Sequence, residues 1–393
     1  MSCQFVTVLI PTYNRSELLL ATLASVFAQS RLPDEIVVIN DGSTDDTLKR
    51  LSMLGDRVRV LTQENQGKSA ALNLGLRHAR DGLIWIVDDD DLMDPDALQT
   101  LVDLFGHDAG AEFVYGRHER FSVNPSGEIR RFDTGYWCEC LPGEFLIATM
   151  EDMFVHQPGM LVRKSLYDRV GPFDISRARS QDYEMLIRLA RSATVASTED
   201  VVFLQRVHDG ERGAGERAIS SDQRDSKWVE NDQSIFRNIY ASFDLKEYIP
   251  PHMELTGPAA LRYALLSRGE IMARKKLWDL AIADFGAARD VTTDPLSEAE
   301  TRIVRRSLAG KYGCDEIITD RALMLALERL ADGSRPGLQI VSSLALGLRW
   351  RVLNELRGGH MLKALALFLC MIKLRFAGAI RVKRDVRRTK LAD

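Results

Sequence analysis

The chain has 393 residues, a formal net charge of −4 and 45% hydrophobic residues. This composition is typical of a globular protein with a sizeable core, and it argues against a disordered, collagen-like or disulfide-scaffold chain. The nearly balanced charge argues against a dedicated nucleic-acid binder, so no nucleic-acid partner is predicted. Five cysteines, whose only close pair is Cys138 and Cys140, indicate unpaired thiols of a cytoplasmic protein.

Residues 5–115 alternate short apolar runs with amphipathic stretches, a pattern that predicts parallel strands joined by crossover helices. Because the apolar runs do not alternate with polar residues, the strands are expected to be buried on both faces. The sequence therefore predicts an α/β fold with a Rossmann-like open sheet and helices on both faces. The predicted strands are Phe5–Ile10, Glu35–Asn40, Arg57–Thr62, Leu83–Val87 and Glu112–Tyr115; the predicted helices are Ser16–Ala28, Asp45–Leu54, Lys68–Ala79 and Pro95–Phe105.

Residues 116–210 are more irregular, with strand-like pieces and one predicted helix near Asp182–Arg191. We interpret them as the acceptor side of the same domain. The glycine-rich and charged segment 209–217 is either a loop that closes over a ligand or a passive surface loop. The predicted domains are a catalytic domain over 1–218, a helical connector over 219–250 and a smaller all-helical region over 251–393.

Within the helical region, four small or aromatic residues have the spacing of a tetratricopeptide-like helix pair. They are Gly269, Ala281, Phe285 and Ala288. A partial second match does not reach the roughly three repeats that a solenoid needs. A small helical bundle therefore remains the alternative interpretation.

The C-terminal residues 361–393 carry nine Lys and Arg against two Asp, which leaves +7 in this segment and −11 in the rest of the chain. No stretch provides the roughly 20 uninterrupted apolar residues of a membrane-spanning helix, and the N-terminus does not resemble a signal peptide. The sequence therefore predicts a cytoplasmic location. Two contacts are left open for residues 251–393: a peripheral contact with the inner face of the membrane, and a contact with a protein partner. A merely solvated basic tail is the alternative.

Four consecutive carboxylates, Asp88 to Asp91, follow one buried strand and precede a helix. Adjacent anions repel one another unless a cation neutralises them, so the cluster predicts a divalent metal with oxygen ligands. Asp41 follows another strand, where it can accept hydrogen bonds from a base or a ribose. Lys68 begins a helix whose N-terminal amides suit phosphate.

Three segments in this order resemble family-2 glycosyltransferases of GT-A fold: 6–15 (VTVLIPTYNR), 38–46 (VINDGSTDD) and the Asp88–Asp91 cluster. The resemblance continues through 157–165, 170–174 and 181–190 and ends near residue 210. It implies that Asp88 and Asp90 bind the donor diphosphate through Mn²⁺ or Mg²⁺, with Asp89 and Lys68 beside it. It also implies that Asp41 holds the base, in a nucleotide pocket lined by Pro11, Thr12, Tyr13 and Asn14.

The resemblance assigns the general base to Asp182, although Gln181 stands where the family usually has a glutamate. His208 lies in a segment that resembles the family's late Arg-x-His, where it can approach the metal. A lone histidine is more often structural, so this assignment has an ordinary alternative.

The resemblance implies an inverting transferase that moves a sugar from a nucleotide-diphosphate donor, in the first place a UDP-sugar, to a carbohydrate or lipid-linked acceptor hydroxyl. Two other hypotheses for the function stay open. One is a non-catalytic nucleotide- or sugar-binding protein on the same scaffold. The other is a nucleotidyltransferase, which would release pyrophosphate from a nucleoside triphosphate.

Overall fold

The computed structural model describes residues 4–108, 110–124, 126–141, 143–207 and 224–389. These residues form two compact units. The first comprises residues up to Thr149 together with Met153–Arg224, and the second comprises Met150–Asp152 together with Asp225 onwards. His208 and the predicted loop over 209–217 lie outside the described residues.

The first unit is built on an open nine-stranded sheet with the order β3-β2-β1-β4-β8-β6-β9-β5, and β7 pairs with β6. The strands are β1 (Val6–Thr12), β2 (Glu35–Asn40), β3 (Arg59–Thr62), β4 (Leu83–Ile86), β5 (Leu92–Met93), β6 (Phe113–Val123), β7 (Ile129–Thr134), β8 (Met160–Arg163) and β9 (Val195–Arg206). The first four are parallel neighbours, as expected. The predicted α/β sheet is confirmed.

The sheet is mixed because β8 lies between β4 and β6 and runs antiparallel to both. The sequence predicts a strand-like piece over Gly159–Val162, close to the observed β8, but it does not predict which strands this piece pairs with. The indole N–H of Trp85 on β4 donates to the carbonyl oxygen of Pro158, 2.8 Å away, just before β8. This buried hydrogen bond fixes the start of β8 against β4.

Helices cover both faces of the sheet. Residues of α1 (Ser16–Phe27) and α4 (Ala97–His107) pack on one face with Val6, Val8 and Ile10 of β1. Residues of α3 (Lys68–His78), α6 (Lys164–Val170) and α7 (Gln181–Ser192) pack on the other face with Leu9. The alternating residues of β1 thus serve two cores, which explains why this strand is apolar throughout. Two shorter helices are α2 (Thr47–Ser52) and α5 (Phe145–Glu151).

The described part of the second unit is helical. Its helices are α8 (Arg224–Ser242), α9 (Gly257–Arg274), α10 (Trp278–Val291), α11 (Glu298–Arg306), α12 (Glu316–Thr319), α13 (Arg321–Arg329), α14 (Arg335–Arg357) and α15 (Met361–Thr389). A Cβ at Gly269 would lie 2.8 Å from the Phe285 ring, so α9 and α10 approach closely at this glycine. Ala281, Phe285 and Ala288 are fully buried. The predicted residues therefore form the contact between these two helices.

Buried ion pairs join the helices of this unit. Arg262 on α9 pairs with Glu300 on α11 at 2.7 Å, and both side chains are about 5% exposed. Glu300 also accepts the backbone N–H of Ser297 and so caps α11. Arg268 pairs with Asp284 across α9 and α10 at 2.7 Å. Within the described residues, no helix is both long and apolar enough to span a bilayer.

Candidate functional site

The strands β2, β1 and β4 are parallel neighbours, so their carboxyl ends meet at one edge of the sheet. Thr12, Asp41 and the Asp88–Asp91 cluster lie at or directly after these ends. Ligands of open α/β sheets bind at this edge. The structure therefore brings the predicted donor-site residues of three separate segments together.

The segment after β1 holds the segment after β2. Asn14 adopts a positive φ of 52°, and its side-chain oxygen accepts the backbone N–H of Thr44 at 2.7 Å and of Asp45 at 3.3 Å. The backbone N–H of Asn14 donates to the Ser43 hydroxyl at 2.9 Å. Asn14 is exposed, whereas Tyr13 is half-buried and Pro11 is buried within β1. Asn14 thus fixes the shape of this loop pair.

The carboxylate of Asp41 is buried and accepts hydrogen bonds from three groups of the protein. It accepts the side-chain amide of Gln63 at 2.7 Å and the backbone N–H groups of Gln66 and Gly67 at 2.9 and 2.8 Å. Gly42 has a φ of 77°, and a Cβ there would lie 2.8 Å from the backbone nitrogen of Asn65. Asp41 and Gly42 therefore lock the loop that precedes α3, which sets the direction of Lys68.

Each of the four clustered carboxylates has a hydrogen-bond or ion-pair partner within the protein, and two of them share one arginine. Asp88 accepts the Lys68 ammonium at 2.5 Å. Asp89 accepts the Thr12 hydroxyl at 2.8 Å and Arg15 at 3.0 Å, and Asp90 accepts the same Arg15 nitrogen at 2.9 Å. Two cations of the protein thus pair with three neighbouring anions and leave one negative charge unbalanced.

The last carboxylate turns toward β9. The side chain of Asp91 accepts the backbone N–H of Arg206 at 2.8 Å, while the Arg206 guanidinium donates to the carbonyl oxygen of Asp90 at 2.7 Å. Burial, with the neighbouring Asp90 and Asp88, raises the pKa of Asp91 well above its usual value. Asp91 therefore acts as a structural tie between the cluster and β9.

Burial also raises the pKa of Asp89 to about 6, although Arg15 acts in the opposite direction. For Lys68, burial disfavours the charged form, but the carboxylates of Asp88 and then Asp182 outweigh it and raise its pKa above the usual value. The negative charge of Asp182 thus helps to stabilise the charged form of Lys68. Lys68 links the cluster to the segment that contains the predicted base.

Asp182 is the second residue of α7, and its carboxylate accepts the backbone N–H of Tyr183 at 2.9 Å. The Tyr183 hydroxyl donates to the carbonyl oxygen of Thr149 at 2.8 Å and anchors the first turn of the helix in the core. Ser180, which precedes the helix, has a φ of 53°. The Asp182 carboxylate is therefore half-buried in the first turn of α7, which the Tyr183 hydrogen bond holds in place.

A cavity of about 70 Å³ lies between the start of α3 and the segment before α7. Lys68, Ser69, Arg177 and Gln181 line it, together with Gln66, Gly67, Ile175, Ser176 and Ala178. The Ser69 hydroxyl and the side-chain oxygen of Gln181 are buried without a hydrogen-bond partner. Buried polar atoms are normally paired, so the cavity is suited to a polar ligand.

Asp88 and Asp90 have the donor chemistry that a hard divalent cation requires, since both offer carboxylate oxygens. Their side chains are 31% and 17% exposed, so their oxygens are accessible from the edge of the sheet. Among the described residues, no three His, Cys, Asp or Glu side chains converge as a metal-binding group. A cation bound there would therefore share these carboxylates with Lys68 and Arg15.

Two site residues were not assigned from the sequence. Arg15 bridges Asp89 and Asp90, and Arg206 joins the cluster to β9. Arg15 lies shortly after the end of β1, at the sheet edge where the anion cluster was predicted. Its position at this edge was the signal that could have identified it. Arg206 is the arginine of the Arg-x-His segment, but its pairing with the cluster could not be predicted because it depends on the position of β9. His208 lies outside the described residues.

The family model of glycosyl transferase family 2 matches residues 7–171. An uncharacterized glycosyltransferase of Rickettsia typhi is 26% identical over 208 residues, which is 52% of this chain and 65% of that protein. The poly-beta-1,6-N-acetyl-D-glucosamine synthase of Staphylococcus aureus strain COL is 37% identical over 114 residues, 28% of this chain and 28% of the synthase. The chain covers less than two thirds of the length of either relative.

Among solved structures, Staphylococcus aureus TarS 1-349 in complex with UDP-GlcNAc matches with a TM-score of 0.49 and 16% identity, covering 96% of this chain and 92% of that one. The family match spans β1 to α6 and includes the Asp41 loop, the Asp88–Asp91 cluster and the Gln157–Arg163 segment. Residues 7–171 of the chain therefore match the family model of glycosyl transferase family 2.

Proposed function

We propose that the first unit transfers a sugar from a nucleotide-diphosphate donor to an acceptor hydroxyl, with inversion at the anomeric carbon. The observation that carries this proposal is the position of Lys68, which lines one polar cavity, pairs with Asp88 at 2.5 Å and is close enough to Asp182 for that carboxylate to stabilise its charge. A base, a cation and a carboxylate for metal binding are the groups that this displacement needs. The names of the relatives support a sugar transfer, and that of the Staphylococcus aureus synthase supports a polysaccharide product.

The donor nucleotide lies at the carboxyl ends of β1, β2 and β4. Thr12, Tyr13 and Asn14 border it, and Asp41 acts mainly by holding the loop before α3 in place. Asp88 and Asp90 would hold Mn²⁺ or Mg²⁺, which supplies positive charge to the diphosphate. A UDP-sugar is the donor we expect.

Asp182 removes the proton of the acceptor hydroxyl while that oxygen attacks the anomeric carbon and the bond to the diphosphate oxygen breaks. The proton ends on the Asp182 carboxylate, and the electron pair leaves with the nucleotide diphosphate. Lys68 is positioned beside Asp88, where its charge also stabilises the leaving group. Gln181 supplies an uncharged amide at the position directly before Asp182.

Calorimetric titration tests the donor site directly. Nucleoside diphosphates and nucleotide sugars are titrated with and without Mn²⁺ into wild type, Asp90→Ala and the control Asp96→Ala, which alters an exposed carboxylate after the cluster. We expect metal-dependent binding that Asp90→Ala loses and Asp96→Ala keeps. Failure of every nucleotide to bind wild type under both conditions would contradict the proposal.

A catalytic assay then separates transfer from binding alone. Wild type and bound donor are incubated with a panel of carbohydrate and lipid-linked acceptors, and the products are separated chromatographically. Release of the nucleoside diphosphate with formation of a new glycoside supports the proposal. Donor binding without turnover on any acceptor would favour the binding-protein reading, and release of pyrophosphate from a nucleoside triphosphate would favour the nucleotidyltransferase.

A further inference from the structure

The C-terminal helix α15 has two apolar sides, but its position in the helical unit buries only one of them. Ala364, Leu367, Cys370 and Leu374 are buried, and they recur every three or four residues. This side packs against α12, α13 and α14. It accounts for the contribution of α15 to the core, and it leaves the other side without a partner within the described residues of the unit.

The second side of α15 exposes large apolar residues to solvent. Leu362 is 85% exposed, and Leu365, Phe368, Leu369 and Phe376 are between 42% and 55% exposed. At 3.6 residues per turn they fall within a sector of about 120°, opposite the buried side. We call these five residues the α15 outer face. A contiguous apolar surface of this kind marks an interaction site.

Cations flank this outer face. Lys373 and Arg375 are both exposed and project on the two sides of the apolar sector. On the preceding helix α14, Arg349 and Arg357 are exposed as well. The acid nearest in sequence, Glu355, is paired with Lys363 at 3.1 Å and with His360 at 2.8 Å. Lys363 also pairs with Asp315 at 2.9 Å, whereas Lys373 and Arg375 form no ion pair within the part of the chain that the structure describes. The outer face is therefore apolar and is flanked by two cations.

The end of α14 also exposes large apolar residues. Trp350 is 54% exposed, and Leu353 and Leu356 are 44% and 42% exposed. A tryptophan ring combines a large apolar surface with one N–H donor, and it is typical of the boundary between lipid headgroups and acyl chains. The chain beyond residue 377 continues the positive charge, with six further Lys and Arg against two Asp.

We propose that the α15 outer face docks on an anionic lipid bilayer, with α15 lying in the plane of the membrane surface. The apolar residues enter the interface between headgroups and acyl chains, and Lys373 and Arg375 bind the anionic headgroups. A second copy of the chain fits less well, because two identical faces would bring the same cations together. The surface lies outside residues 7–171, so the inference is independent of the proposed sugar transfer.

Vesicle flotation of the full chain tests the inference. Wild type is mixed with vesicles of phosphatidylcholine alone or of phosphatidylcholine with phosphatidylglycerol, at low and at high salt. We expect flotation with the anionic vesicles at low salt, weaker flotation at high salt and little with phosphatidylcholine alone. No flotation with anionic vesicles at low salt would overturn the inference.

Two variants separate the apolar from the charged contribution. Leu362→Gln/Leu365→Gln/Leu369→Gln removes apolar residues that are already exposed, and it should weaken partitioning on the order of tenfold or more. Lys373→Gln/Arg375→Gln should weaken it on the order of tenfold and reduce its salt dependence. The matched control is Leu32→Gln/Met53→Gln, which replaces exposed apolar residues of the first unit and should bind like wild type.

Circular dichroism and thermal unfolding verify that the variants are folded. If the triple variant and the control bind vesicles equally, the outer face is not the lipid contact and the inference fails. Size-exclusion chromatography with light scattering tests whether a second copy of the chain binds the outer face instead. A wild-type dimer that the triple variant converts to monomer, without any vesicle binding, would assign the face to a second copy and would also overturn the proposal.

Discussion

Charged side chains serve different purposes in the two units. At the edge of the sheet, Lys68 and Asp88 are each about one third exposed, and Arg15 is 34% exposed beside two carboxylates. In the helical unit, Arg262 and Glu300 are almost completely buried, and each has its hydrogen bonds satisfied by neighbouring residues. Accessible pairs can exchange a protein partner for a ligand, whereas enclosed pairs can only hold helices together. The comparison predicts that mutations of the first kind affect ligands and mutations of the second kind affect stability.

The largest expected effect is on turnover. Asp182→Asn keeps the shape of the side chain and its contact with the Tyr183 N–H but removes the proton acceptor. We expect sugar transfer to fall by about 10²–10⁴-fold, the usual contribution of a general base. Steady-state kinetics measure the fall, and calorimetry should show nearly unchanged donor binding. Unchanged turnover would remove Asp182 from the mechanism.

The next effect concerns the enclosed pair. Arg262→Ala leaves the Glu300 carboxylate buried without its cation, which should lower the free energy of unfolding of the helical unit by about 3–5 kcal/mol. Urea unfolding followed by circular dichroism measures this loss. The control is Arg237→Ala, which breaks the exposed pair with Asp279 and should cost less than about 1 kcal/mol. Equal losses in the two variants would contradict the distinction between enclosed and exposed pairs.

A glycine pair tests the loop that holds the site. Gly42 and Gly55 both have a positive φ, but only Gly42 has a neighbour within reach of an added Cβ. Gly55→Ala should cost about 1–2 kcal/mol from the backbone conformation alone. Gly42→Ala should cost more, and it should also weaken donor binding because the loop before α3 must shift. Equal stability of the two variants would show that the contact with Asn65 imposes no constraint.

The last expected effect is a pH dependence of the stability of the helical unit. Burial raises the pKa of Glu270 to about 8, although Arg274 acts in the opposite direction. A carboxyl group with a raised pKa in the folded state binds more protons there than in the unfolded state, so its contribution to stability is lost as pH rises. Between its ordinary pKa of 4.5 and about 8, stability should therefore decline with pH. Thermal unfolding at several pH values should show a shallower decline for Glu270→Gln.

The elements of the first unit could be predicted where burial dictates the sequence. β2 and the start of α3 were predicted at the observed residues, because both faces of β2 are covered and Gly67 ends the loop before Lys68. The insertion of β8 between β4 and β6 could not be predicted, since pairing between distant strands leaves no periodicity in either strand. The two-residue strand β5 is too short to form a pattern.

The residues of the site were predictable by type and position, but their partners were not. Strand-end carboxylates such as Asp88 and Asp90 are visible as a cluster in the sequence. That Lys68 reaches Asp88, or that Arg15 bridges Asp89 and Asp90, depends on how three loops meet in space. The hydrogen bonds that occupy Asp41 likewise follow from the loop before α3. The roles of these residues in transfer remain predictions.

The position of β8 has a consequence for synthesis of the chain on the ribosome. Strand β4 can pair with β1 as soon as both have emerged, but its other edge stays open until Met160–Arg163 have been made. During that interval β4 presents a wholly apolar strand with unpaired backbone groups, which is a template for aggregation. Nascent chains that stop between β4 and β8 should therefore depend on chaperones, and fragments truncated there should accumulate in inclusion bodies.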